Sequence, residues 1–164
     1  MVPGPDLEPI ELGGAAVEIV ARIESTCARL DDGRVVCWGT GRFGKTGHPW
    51  PSVCAGVAGL FDCTADPRCC IGDDEPPASV GPVELPRPIR DLAGTGLGFC
   101  GLGDDGVVSC WGSGELGVLG DGLTPECIGF VDEVPTYVDC SLDPRCCIGD
   151  DETPAAAGRP VIFE

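Results

Sequence analysis

Val17, Ile19, Ala21 and Ile23 alternate with Glu18, Val20, Arg22 and Glu24. Alternation of period two predicts a half-buried β-strand. Two further short apolar runs, 27–30 and 34–38, flank Asp31-Asp32-Gly33. Apolar runs on either side of an Asp-Gly turn predict a β-hairpin. The glycine at the end of the three-residue turn suits the left-handed position of a type I turn with a bulge. A fourth short strand is expected at 82–85, Pro-Val-Glu-Leu, after a long loop.

The pattern occurs twice. Cys27, Cys37, Trp38, Gly39, Gly41, Gly44, Gly47 and Cys54 return 73 residues later as Cys100, Cys110, Trp111, Gly112, Gly114, Gly117, Gly120 and Cys127. Asp66-Pro67-Arg68-Cys69-Cys70-Ile71-Gly72-Asp73-Asp74-Glu75 returns 77 residues later, ending in Asp150-Asp151-Glu152. The four extra residues fall between Cys127 and Cys140, against Cys54 and Cys63 in the first copy. Pro9-Ile10-Glu11-Leu12, Pro82-Val83-Glu84-Leu85 and Pro160-Val161-Ile162-Phe163 are three versions of one edge motif. Four antiparallel strands per repeat describe a propeller blade. The expected fold is therefore all-β: two four-stranded antiparallel blades of an incomplete propeller ring. Residues 1–14 form an edge strand and lead-in. Blade one spans 15–86 with an insert at 48–70, and blade two spans 87–164 with an insert at 121–147.

The 12 cysteines add cross-links to a core that is thin in aromatic residues, at 5% of the chain. An even, regularly spaced set reads as a disulfide framework, which persists in oxidising compartments. With Asp32 and Asp105 as hairpin centres, Cys27 faces Cys37 and Cys100 faces Cys110, close enough to bond. In the inserts, adjacent Cys69 and Cys70 are expected to bond back to Cys54 and Cys63, in either order. Cys146 and Cys147 are expected to bond back to Cys127 and Cys140 in the same way. A vicinal bond would strain the peptide. Structural zinc prefers cysteine pairs two to four residues apart, which these spacings do not provide.

The stretch Cys27-Ala28-Arg29-Leu30-Asp31-Asp32-Gly33-Arg34-Val35-Val36-Cys37-Trp38-Gly39 resembles the bacterial, cysteine-rich branch of the regulator-of-chromosome-condensation repeat family. Cys100 to Gly112 carries the motif again, with Gly101 in place of Ala28. The stretches Ile71 to Ala78 and Ile148 to Ala155 are similar to the acidic linker of bacterial members. The resemblance implies a propeller, usually of about seven blades. Two blades do not close such a ring, so further blades or self-association are needed to complete it, the remaining alternative being an atypical two-blade body. Eukaryotic members of the family act in guanine-nucleotide exchange on a small GTPase.

The net charge of −17 opposes binding to phosphate backbones, so nucleic acid is not expected as a partner. It favours cations and basic proteins. Asp66, Asp73, Asp74 and Glu75, with Asp143, Asp150, Asp151 and Glu152, are candidate calcium ligands; the bland alternative is an Asx-type turn. No other cofactor is expected. Both Gly39–Gly44 and Gly112–Gly117 match a dinucleotide-binding fingerprint, but His48-Pro49 and the surrounding glycines do not form the helix that such a site requires. His48, the single histidine, reads as a surface loop residue with no catalytic partners, so no enzymatic activity is expected. Trp50 lacks a counterpart in the second repeat and is a candidate contact residue.

No run is apolar enough to span a membrane. Met1 to Asp6 has neither the basic nor the apolar region of a signal peptide. The cysteine usage points to the cell exterior, with the chain a mature form or a piece of a longer secreted protein. The expected function is a non-enzymatic extracellular scaffold that binds protein through its loops. An exchange-factor-like propeller fragment and a calcium-stabilised array or adhesin segment are the alternatives.

Overall fold

The computed structural model describes residues 8–49, 54, 62–66, 68–114, 117–120, 128–131, 134–138, 140, 146–149, 152–158 and 160–161. Its first sheet is antiparallel in the order β1 (Ala16–Arg22), β2 (Ser25–Leu30), β3 (Val35–Thr40), β4 (Cys70–Ile71). The second repeats it as β5 (Ile89–Gly94), β6 (Gly98–Gly103), β7 (Val108–Ser113) and, beyond an insert, β10 (Cys147–Ile148). The expected pair of four-stranded antiparallel sheets is thus present.

The hairpin turns form as their sequence dictates. Gly33 N donates to Leu30 O at 3.0 Å, and Leu30 N donates to Arg34 O at 2.8 Å. Asp32 closes the turn by accepting from Arg34 N at 3.1 Å. Gly33 has φ +82°, the left-handed value that a bulge after a type I turn requires. Asp105 and Gly106 repeat the arrangement, with Gly106 at φ +82°. This turn sets the register that places Cys27 opposite Cys37 and Cys100 opposite Cys110.

The fourth strand is not where the apolar pattern placed it. Residues 82–85 form no strand; the blade's outer strand is Cys70–Ile71, paired with Thr40 and Gly39. Val83 N instead makes a single bond to Val35 O at 2.8 Å, beside the other half of β3. In the second blade this position is occupied by β11 (Pro160–Val161), which pairs with Ser109 and Val108 of β7. Each blade therefore shares its outer edge between two short segments. A proline within each Pro-Val segment limits its length, because proline supplies no N–H to a ladder. The edge motif at 9–12 is also not a strand.

Two elements were not anticipated. Single-turn helices α1 (Pro77–Val80) and α2 (Pro154–Ala157) follow the acidic linkers. Both begin with proline, whose fixed φ suits the first helical position. In the second insert, β8 (Ile128–Val131) pairs with β9 (Val134–Val138). The first insert is four residues shorter at this point.

The core lies between the blades rather than within either. Cys27, Val35 and Cys37 from the first blade pack with Ile89, Leu92, Phe99, Trp111 and Ile148 from the second. The Phe99 and Trp111 rings stack at 6.1 Å. Backbone bonds cross the same boundary. Ile89 N donates to Gly33 O at 2.8 Å, and Ala155 N donates to Glu84 O at 2.9 Å. Glu18 adds a side-chain bond. One of its oxygens accepts from Leu92 N at 3.1 Å and from Arg29 Nε at 2.9 Å. Removing that carboxylate strands the Leu92 amide, at a cost of about 1–3 kcal/mol.

The two turn glycines provide an internal control. A Cβ on Gly33 would sit 2.7 Å from Pro88 Cβ, whereas a Cβ on Gly106 would meet nothing within 4 Å. Gly106→Ala is expected to cost about 1–2 kcal/mol from the left-handed backbone alone. Gly33→Ala is expected to cost about 1–3 kcal/mol more through overpacking. Urea unfolding with the disulfides intact measures both; equal losses would mean that the blades do not dock in solution.

Candidate functional site

The inserts are the features that a plain four-stranded blade does not need. The first leaves β3 through the 3-10 turn Arg42–Gly44 and returns at Cys70 of β4. Cys54 bonds to Cys69 and Cys63 bonds to Cys70, with Cα–Cα distances of 5.3 and 5.1 Å. Adjacent cysteines thus go to different partners. Cys70 pairs with Thr40, and Cys69 O accepts from Gly41 N at 3.2 Å, so the staples fasten the insert to β4, which is hydrogen-bonded to the third strand. Cys54 and Cys69 are fully buried.

Cys140 bonds to Cys147 over the same seven-residue separation as Cys63 to Cys70. Cys146 is buried, and Cys127 lies outside the described residues. The hairpin pairs Cys27–Cys37 and Cys100–Cys110 are bonded, with Cα atoms 4.0 Å apart in each. No described cysteine is free. The sulfurs of Cys63 and Cys70 lie near Asp73, but a disulfide lacks the thiolates that zinc requires.

Within the first insert, Asp66 accepts from Arg68 N and Nε, both at 2.9 Å, and from Arg68 Nη2 at 3.0 Å. The bonds from Arg68 hold its carboxyl down at about 2. Cys69 N donates to Asp66 O at 2.8 Å, so this Asx turn delivers the chain to the staple. Asp62 caps a similar turn through Thr64 N and Oγ1.

The structure separates Asp66 from the other candidate calcium ligands. Asp73, Asp74 and Glu75 do converge, with one oxygen from each within 4.8 Å of the others. Burial, then a hydrogen bond with Asp74 and the charges of Asp73 and Asp74, push the Glu75 carboxyl up. Glu75 Oε1 is already turned to Gly72 N at 3.0 Å. The one converging oxygen from each of the three carboxylates gives three of the six to eight oxygens that calcium takes. In the second repeat, Asp143, Asp150 and Asp151 lie outside the described residues, while Glu152 is half-buried. Trp50 also lies outside them.

His48 is more enclosed than its loop position suggested. Burial pushes its imidazole below the usual value, against a backbone bond at Gly81. The sequence reading also missed Lys45. It is 1% exposed, with Nζ donating to Ile23 O at 3.0 Å and Glu24 Oε2 3.4 Å away. Burial lowers its ammonium pKa, and Glu24 opposes that shift. Lys45 thereby holds the β1–β2 turn, where Glu24 sits at φ +60°. Val118 takes its place in the second repeat, so the internal comparison was the signal that would have marked it.

The arrangement presents stapled acidic loops on a rigid sheet edge and supplies no nucleophile–base pair among the described residues. No family profile matches the chain, and no curated protein matches it. Solved structures do. Prp20p from Saccharomyces cerevisiae, characterised with its binding properties to Gsp1p and histones, is similar over 80% of this chain and 27% of its own, at 16% identity and TM-score 0.50. Yeast RCC1 (Prp20) bound to Kap60 aligns over 84% of this chain and 25% of its own, at 17% identity and TM-score 0.45. Human WBSCR16 aligns over 64% and 21%, at 17% identity and TM-score 0.43. The chain spans about a quarter or less of these proteins, within the 21–27% covered. The described sheets, their order and the likeness to Prp20p together give this chain an RCC1-like propeller-blade fold.

Proposed function

We propose that this chain is a non-enzymatic protein-binding module of the cell exterior, which engages a basic partner through its stapled inserts. The observation that carries this reading is the double staple of Cys54–Cys69 and Cys63–Cys70 at β4, the strand paired with β3. Loops held on a rigid scaffold are where binding concentrates. Prior immobilisation lowers the ordering cost on association.

Charge selects the partner. The exposed acids Asp62, Asp73 and Asp74 surround the staple, and the whole chain carries −17. Asp73, Asp74 and Glu75 bring one carboxylate oxygen each to one place, so an incoming lysine or arginine meets three acids together. Prp20p, the RCC1-like protein of similar fold, is itself described with binding to Gsp1p and histones. A nucleotide-exchange role is the second reading and rests on that likeness. It fits a reducing compartment, which the bonded cysteines oppose.

Two measurements test the proposal. Fluorescence anisotropy with a lysine- and arginine-rich peptide is expected to show binding that weakens as salt rises. Asp73→Asn with Asp74→Asn is expected to weaken it about tenfold; absence of binding at low salt contradicts the basic-partner reading. Thiol titration of the denatured native protein is expected to find none of the 12 cysteines free. Twelve free thiols would favour the intracellular exchange role instead.

A further inference from the structure

The repeat places the same positions in two environments, and the difference marks one open face on each blade. Positions facing the start of the chain are buried in the second blade and open in the first. Leu92 is 6% exposed, but its counterpart Ile19 is 66% exposed. Ile89, Phe99, Trp111 and Gly149 are buried; Ala16, Thr26, Trp38 and Gly72 are exposed or half-buried. Together the open positions form the head of the chain.

Positions facing the end of the chain show the reverse. Cys27, Gly33, Val35 and Gly44 are buried in the first blade, while Cys100, Gly106, Val108 and Gly117 are not. In the first blade these positions touch the second directly. A Cβ on Gly44 would strike Ile148 O, whereas one on Gly117 would meet nothing within 4 Å. In the second blade they form a tail with an apolar hollow of about 200 Å³, lined by Ala93, Cys100, Gly101, Leu102 and Val108 among others. Val20, the counterpart of Ala93, packs against the inter-blade core.

We propose that the tail of one copy of this chain docks on the head of a second copy, reproducing between chains the contact that joins the two blades within one. The occupant follows from continuity with that internal interface. The head carries the positions that the first blade accepts from the second, and the tail carries the positions that receive them. Such a contact is heterologous, so it propagates head to tail rather than pairing like with like. Its polar contacts have counterparts as well. Gly106 O stands where Gly33 O receives Ile89 N, and Asp91 stands where Glu18 receives Leu92 N.

One segment must move for the copies to meet. Glu11 O accepts from Ala78 N at 3.1 Å, as Glu84 O accepts from Ala155 N at 2.9 Å. Residues 9–12 therefore already occupy, on the head, the place of a preceding blade's closing segment. They and the neighbour's Pro160–Val161 compete for the β7 edge at Val108 and Ser109. The head is also less apolar than its internal counterpart, with Ala16 and Thr26 in place of Ile89 and Phe99. Association between copies is thus weaker than the internal contact. It strengthens with salt, which screens the repulsion between chains of charge −17.

Sedimentation velocity on the purified full chain tests this without any other partner, so its failure is separate from failure of the binding reading above. The wild-type mass is expected to rise with concentration and with salt. Ile19→Arg blocks the head and Ala93→Arg blocks the tail; both sites are exposed, so each variant folds. Each alone is expected to remain monomeric. Mixed in equal amounts, they are expected to form a two-chain species and nothing larger, since one sound head and one sound tail remain. A wild type that is monomeric at every concentration overturns the proposal. So does a mixture that stays monomeric, or an Ile19→Arg variant that associates like the wild type.

Discussion

The contact on which the structure depends is the docking of one blade on the next. The main buried cluster draws Cys27, Val35 and Cys37 from one side and Ile89, Leu92, Phe99 and Trp111 from the other. A four-stranded sheet of short strands has two faces and too few large side chains to cover them. Each face is completed by a neighbour, as expected of stacked repeats. The backbone bond from Ile89 N to Gly33 O fixes where the second blade starts relative to the first hairpin. Gly33 permits that approach because no side chain stands between the turn and Pro88.

The disulfides operate at a different level. The hairpin pairs join residues already opposed in register, so they close short loops and restrict the unfolded chain modestly, by roughly 3 kcal/mol or less each. The insert pairs tie the first insert to an outer strand only two residues long, Cys70–Ile71, which pairs with Gly39 and Thr40. This arrangement puts eight of the 12 cysteines in the inserts. It also places the exposed acids of 62–75 on the most constrained loops of the first repeat.

Much of this was legible in the residues. The Asp-Asp-Gly turns, the existence of a strand near 17–23 and the 73-residue recurrence required no tertiary information, but the apolar face expected of that strand is open: Val17, Ile19 and Ile23 are exposed, and Glu18 and Val20 are the half-buried positions that face the second blade. The outer strand was misplaced because Pro-Val-Glu-Leu has the better apolar pattern, whereas Cys70-Ile71 wins by being stapled beside Thr40. The hairpin in the second insert had a visible signal, two β-branched and aromatic runs around Asp132-Glu133. Lys45 escaped notice, and His48 reads from sequence as a surface residue, because the glycine loop that carries both folds over the β1–β2 turn and Val83. The candidate site divides in the same way: the carboxylates adjacent in sequence converge, whereas Asp66 is held by Arg68, two residues away.

Native-state amide exchange at low protein concentration reads the blade boundary most directly. The amides of Ile89 and Leu92 are bonded across it, to Gly33 O and to the Glu18 carboxylate. Ala16 and Ile19 hold the equivalent positions at the open head. Ile89 and Leu92 are predicted to exchange at least about tenfold more slowly than Ala16 and Ile19. Equal rates at the two pairs would contradict a core built between the blades.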